Sequence, residues 1–154
     1  MYNVTVFPIV QLNEPRNIYF RNNPSNKKYI PGNSHHTYRI IKESIGHQKA
    51  EGCWILLFDN ASMLKHKQKL GSTTTGFGDP INVLQLSLQH QCLSMVLVSH
   101  SLAPYTASRT DLIYNLNLIA AANNISICLL DHLVTYPEGY YSYRDNGLLT
   151  YMDN

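Results

Sequence analysis

Two short stretches of this chain carry side chains that could do chemistry: Ser99-His100-Ser101, and Ser108 with Asp111 three positions later. A histidine in a polar loop is able to ligate a metal through a neutral ring nitrogen, although a lone one more commonly just faces solvent. Ser108-x-x-Asp111 ahead of Leu112 has the form of a capping box: the hydroxyl satisfies one free N–H of a helix start and the carboxylate reaches back to another. That role requires no function. Glu51, just before an apolar run, reads as a solvated charge at a strand end, and His132, following Asp131, as a residue tying a strand end to a neighbouring backbone group. The pair His35-His36 falls at a helix start and reads as surface. Cys53, Cys92 and Cys128 lie in apolar runs without C-x-x-C spacing, which argues against a zinc ribbon or a disulfide framework and for buried thiols in a reducing compartment.

The elements that must position these residues follow from periodicity. Residues 1–12 alternate as a strand broken at Pro8, and a Pro- and Asn-rich stretch to residue 33 reads as an exposed connector. Asn33 and Ser34 can cap a short helix carrying Tyr38, Ile41 and Ile45 and ending at Gly46. Cys53–Phe58 is a continuous apolar run, the pattern of a strand buried on both faces, and Met63–Leu70 the wet second arm of a hairpin. Asp79-Pro80 places a cap before a first-turn proline, opening a helix whose expected apolar face is Ile81, Leu84, Leu86 and Leu88. Met95–Val98 is another buried strand. From Ser108 the expected helix shows Leu112, Ile113, Leu116, Ile119 and Ala120, ending at Asn123-Asn124, where asparagine tolerates a left-handed backbone. Ile125–Leu130 and Tyr140–Tyr143 read as two strands joined through residues 131–139. The order predicts an α/β (α+β) layer fold: a mixed central sheet containing residues 53–58, 95–98 and 125–130, flanked by helices.

Composition bounds the function. A chain of 154 residues, 44% hydrophobic and 14% charged, fits one domain with a sizeable core. Twelve basic against ten acidic side chains leave a charge of +2, too balanced to draw a polyanion, so nucleic acid is not an expected partner. The KHKQK run at 65–69 lacks interleaved aromatics and reads as one wet face. Neither a leader pattern nor an apolar membrane span is legible, so a soluble cytoplasmic protein is expected. Tyr136, Tyr140, Tyr141 and Tyr143 form a cluster able to contribute to an interface, including one between copies of the chain, though β propensity alone accounts for them.

The second half resembles the bacterial RadC family, a branch of the JAB/MPN (JAMM) zinc hydrolases. The resemblance rests on S-x-x-D at Ser108–Asp111, L-L-D-H at Leu129–His132, G-Y-Y-S-Y at Gly139–Tyr143 and G-L-L at Gly147–Leu149, with GCWILLFDNAS and GFGDP upstream. It extends from about Glu51 to Leu149. It implies a JAB/MPN, cytidine deaminase-like architecture for residues 34–154, with residues 1–33 as an N-terminal strand and connector.

Active members of that group use a glutamate as base, H-x-H as two zinc ligands, and S-x-x-D, whose aspartate is the third. The resemblance carries Glu51 and Ser108 onto the glutamate and serine, and Asp111 onto the aspartate. Where the family has H-N-H-P-S-G, this chain has Ser99-His100-Ser101-Leu102-Ala103-Pro104. Counting forward from Asp79-Pro80 puts Ser99 and Ser101 on the ligand positions; counting back from Ser108 puts Val98 and His100 there. The first register keeps the VLV run in its strand and is preferred, and either one removes at least one histidine. A neutral hydroxyl is a poor zinc donor, and without the metal Glu51 has no activated water to use. The expectation is therefore a domain without a cofactor that acts as a binding or assembly protein for a protein or peptide partner. The competing expectation is a metal-dependent, peptidase- or isopeptidase-like hydrolase, with zinc held by Asp111, His100 and a further ligand and with Glu51 as base. In both, Glu51, Ser99–Ser101 and Asp111 should converge at one end of the sheet.

Overall fold

The computed structural model describes residues 27–46, 51–72, 76–105 and 107–149, so the expected strand at the N-terminus lies outside the described residues. The chain order is α1 (Ser34–Ile45), β1 (Gly52–Phe58), β2 (Leu64–Gly71), α2 (Pro80–Gln89), β3 (Ser94–His100), α3 (Arg109–Asn123), β4 (Cys128–Tyr136) and β5 (Gly139–Ser142). The strands form one sheet in the order β2-β1-β3-β4-β5. Only β3 and β4 pair in parallel, around the α3 crossover, which makes the sheet mixed.

Alternation along the central strands builds three layers. Cys53, Ile55 and Leu57 of β1 and Met95 and Leu97 of β3 pack with Val83 and Leu84 of α2 and Leu118, Ile119 and Ala122 of α3. Leu56 and Phe58, with Val96 and Val98, face the other way onto Ile40 and Ile41 of α1. A strand covered on both faces must be apolar at every position, which is why CWILLF shows no alternation. At the edge, β2 turns Lys65, Lys67, Gln68 and Lys69 to solvent, and such charges oppose pairing with another strand.

Helix starts fall where the cap residues put them. Asn33 accepts the His36 N–H, Asp79 that of Ile81, and Ser108 that of Asp111. Other expectations are corrected. The inward face of α2 is Val83, Leu84 and Ser87, whereas Ile81 is 60% and Leu88 50% exposed. Ser87 can face inward because its hydroxyl donates to the Cys92 carbonyl. On α3 the buried stripe is Asn115, Leu118, Ile119 and Ala122, and Ile113 is exposed. The left-handed residue after α3 is Ser126 (φ 60°), not Asn124, which stays right-handed (φ −70°). The N–H groups of Ile125 and Ile127 both close onto the Ala122 carbonyl, so residues 125–127 belong to the turn. Strand β4 instead starts at Cys128 and runs through Asp131 and His132 to Tyr136, leaving Pro137-Glu138 as the hairpin turn. Cys53 and Cys92 are buried as expected, but Cys128 is exposed. The described end of the connector is exposed at Lys28 and from Ile30 to Asn33, but Tyr29 within it is buried, bonds the Ser62 carbonyl through its N–H, and sets its ring edge-on to Phe58.

Candidate functional site

Helix α3 begins under the end of the sheet where β3 leaves it, and its first turn carries Ser108 and Asp111. The Ser108 hydroxyl accepts the Asp111 N–H at 3.0 Å, but the reciprocal half of the capping box is missing. The Ser108 N–H donates to the Tyr143 hydroxyl oxygen at 3.3 Å, and the Asp111 carboxylate receives the Tyr105 hydroxyl in a short bond. With that proton committed, the Tyr143 hydroxyl donates to the Tyr105 oxygen at 2.8 Å. Burial, and for Tyr105 the adjoining Asp111, push both phenols above their ordinary pKa and hold them as neutral donors.

A second chain of bonds runs behind the first. Ser99, near the end of β3, lies 2.9 Å from His132 Nε2, and His132 Nδ1 lies 3.1 Å from Asn115 Oδ1. His132 is not at a strand end tied to backbone, as the sequence led us to expect. It is in mid-strand, wholly buried, stacked on Tyr143 at 4.9 Å and edge-on to Phe77 at 5.2 Å. Burial lowers its pKa to about 4 against the opposing pull of the Asp111 charge, so the ring is neutral near pH 7. An amide oxygen can only accept, so Nδ1 carries the proton and Nε2 accepts the Ser99 hydroxyl. The order Ser–His–Asn is that of a nucleophile, base and orienting group. Burial disfavours the imidazolium that such a base must become, which makes this ring a poor activator of a serine and suits it to a buried polar tie.

The remaining predicted residues fall as follows. Glu51 is exposed just before β1, and its Oε2 accepts the Leu102 N–H at 3.4 Å, against the loop that leaves β3. Cys53 pairs with Ser99 across the β1–β3 ladder, and the Asp111 charge acts on Cys53, whose thiol is raised chiefly by burial. Glu51, the β3 exit, Ser99 and Asp111 thus occupy one end of the sheet. Ser101 closes a local turn, its hydroxyl donating to the Ala103 carbonyl at 2.9 Å. His100 is not part of this group. It alternates onto the α1 face with Val98, where its Nδ1 meets Thr135 Oγ1 at 2.9 Å. Among the described residues no three histidine, cysteine or acidic side chains are spaced to hold a metal. The residues that the resemblance, in its preferred register, would give to a zinc site are the engaged Asp111 carboxylate and the hydroxyls of Ser99 and Ser101, and hydroxyls are poor donors for that ion.

Asp131 secures the neighbouring end of β4. Its carboxylate receives the Ser142 hydroxyl at 2.6 Å and the N–H groups of Arg144 and His132 at 3.0 and 2.7 Å. Burial outweighs these bonds and raises its pKa to about 6. Sequence reasoning missed Tyr105, Asn115 and Tyr143 as members of the site. The legible signal was the polar pair Asp131-His132 inside an apolar run, which calls for buried partners.

A three-layer α/β/α domain with a mixed sheet, its helix α3 presenting S-x-x-D to the end of β3, is the architecture of a JAB/MPN domain. The family model of the RadC-like JAB domain matches residues 32–148, and the chain belongs to that family. It is similar to UPF0758 proteins of three streptococci. With that of Streptococcus suis (strain 98HAH33) it shares 27% identity over 121 residues, 75% of this chain and 49% of the relative. With that of Streptococcus gordonii the identity is 28% over 108 residues, 68% of this chain and 48% of the relative. With that of Streptococcus sanguinis (strain SK36) it is 26% over 110 residues, 70% and 48%. The chain thus spans about half the length of these relatives. No helix among the described residues is long and apolar enough to cross a membrane.

Proposed function

We propose that this RadC-like JAB domain works without zinc, as a non-catalytic binding or assembly module for a protein or peptide partner. The observation that carries the reading is the engagement of the two key positions: Asp111 holds the Tyr105 hydroxyl, and Ser99 holds His132. A carboxylate spent on a phenol and a hydroxyl spent on an imidazole have to break those bonds before either could face a metal, and a hydroxyl gains little from doing so. Glu51, lacking a metal-bound water, then serves the β3 exit loop through the Leu102 N–H rather than proton transfer. The exposed side chains of Ile81 and Leu88, seven residues apart on one face of α2, offer apolar surface of the kind a protein partner covers. The competing hydrolase, with His100 as ligand and Glu51 as base, would have to bring His100 across from the α1 face. Zinc content of protein purified without chelator or nickel separates the two: metal-free protein supports the binding module, and stoichiometric zinc supports the hydrolase. Light scattering of the same sample distinguishes a second copy of this chain from a different partner.

A further inference from the structure

The charged side chains are shared unevenly among the layers. Between Pro80 and Leu130 the only lysine, arginine, aspartate or glutamate residues are Arg109 and Asp111, both in the first turn of α3. Asp111 is half-buried, so of the eleven exposed residues of α2 and α3 Arg109 alone is charged. Helix α1, across the sheet, exposes four residues, of which Arg39, Lys42 and Glu43 are charged. The depletion therefore belongs to one face and not to the chain as a whole. The same layer gathers exposed apolar groups: of the seven large ones among the described residues, Ile81, Leu88, Leu93, Ile113 and Ile125 lie on the two helices or in the turns that follow them. The Gln91 N–H closes onto the Leu88 carbonyl and the Cys128 N–H onto the Leu93 carbonyl, so Leu88, Leu93 and Ile125 collect at one end of the layer, with Ile81 and Ile113 in the first two turns of their helices. Apolar side chains exposed singly are ordinary, whereas a layer that gathers them and lacks charge has the composition of a contact surface.

We propose that the outer face of α2 and α3 is a two-fold interface through which two copies of this chain pair reversibly. Around a two-fold axis each patch meets its own equivalent, so like charges would oppose one another, and this face has almost none to oppose. The exposed Gln85, Gln89 and Asn117 each carry donor and acceptor on one amide, which lets such a group bond to its own counterpart. Neutrality also leaves no sign by which an acidic or a basic partner would be selected. Two helices side by side, the longer about 22 Å, present a face of about 400 Å². That is roughly half of the ~800 Å² that a standard interface takes from each partner, which puts this pair among the weak, reversible ones. The proposal rests on the reading of the domain as a module that works by protein contact, and names its partner.

Sedimentation equilibrium of the full chain tests it: the average mass should rise from one chain at about 1 µM toward two at about 500 µM. Ile113→Glu and Gln85→Glu each set a negative charge against its own copy and should weaken pairing about tenfold or more. Arg39→Glu, at an exposed position of α1, should pair like the parent chain. Circular dichroism checks that each variant is folded, and the exposed polar position of Gln85 keeps the test open if Ile113→Glu is not. A chain that stays single up to about 1 mM, or a pair that survives both glutamate substitutions, overturns the proposal. A metal-free chain that stays single overturns this interface and leaves the zinc-free module with a different partner; stoichiometric zinc in a chain that pairs through this face does the reverse.

Discussion

Ser99 Oγ and His132 Nε2 meet at 2.9 Å across 33 positions of sequence, where parallel strands β3 and β4 run side by side. In the preferred register the resemblance would put this serine where the family presents a zinc-binding imidazole; the imidazole it meets belongs to His132 on the neighbouring strand. Removing the hydroxyl leaves a buried ring nitrogen without a partner, at a cost of ~1–3 kcal/mol. Ser99→Ala should therefore lower the urea midpoint clearly, and Ser99→Thr, which keeps the hydroxyl, should recover part of the loss.

Asp111 and Tyr105 form the second tie, and their contributions should not add. Asp111→Ala exposes the phenol to an unmet donor and weakens the charge at the helix start, costing ~1–3 kcal/mol. Tyr105→Phe removes the same bond from the other side. In a double-mutant cycle the pair should show a coupling of ~0.5–3 kcal/mol, measured from denaturation midpoints. Additive losses would mean that the bond contributes nothing in solution.

Two buried groups on adjacent positions give opposite pH dependences. Asp131 has its folded pKa raised from 3.8 to about 6 by burial, so its contribution is fully present below pH ~4 and lost as pH rises through 6. His132 has its folded pKa lowered from 6.5 to about 4, again by burial, so its contribution is present above pH ~6.5 and lost as pH falls through 4. In the parent chain the two dependences therefore oppose each other between about pH 4 and 6.5. Asp131→Asn should therefore lose stability on acidification across that window, and His132→Gln should gain it. Urea midpoints at half-unit pH steps check both signs.

The rotation of α2 and α3 about their axes is also testable. Leu118→Ala empties a wholly buried position and should cost ~2–5 kcal/mol. Ile81→Ser, on the exposed face of α2, should stay within ~0.5 kcal/mol of the parent in thermal melts of the isolated chain.

Local punctuation carried most of what was legible beforehand. Asn33, Asp79 and Ser108 mark helix starts through their own side chains, and CWILLF announces a strand covered on both faces. What was not legible depends on contacts distant in sequence. Asn115 and Ser87 face inward although polar, because the Asn115 oxygen accepts the His132 Nδ1–H and the Ser87 hydroxyl donates to the Cys92 carbonyl, and that turned the helices away from their apparent apolar stripes. The same cause hid the continuation of β4 through Asp131-His132, two residues that look like a strand end until Ser142, Arg144 and Ser99 are placed around them. Of the site, Ser99, Ser101, Asp111 and Glu51 were named from the resemblance, whereas Tyr105, which bonds Asp111, and Tyr143, which bonds Tyr105 and Ser108, became visible only once β5 and the β3–α3 loop were positioned.

The most direct test of the account is zinc per chain, by elemental analysis, in protein produced with added zinc and purified without chelator or nickel. The parent chain should carry far less than one equivalent, and so should Asp111→Ala; Ser99→His/Ser101→His is the variant in which binding could first appear. One tightly held zinc in the parent chain, lost on Asp111→Ala, would contradict the account and restore the hydrolase.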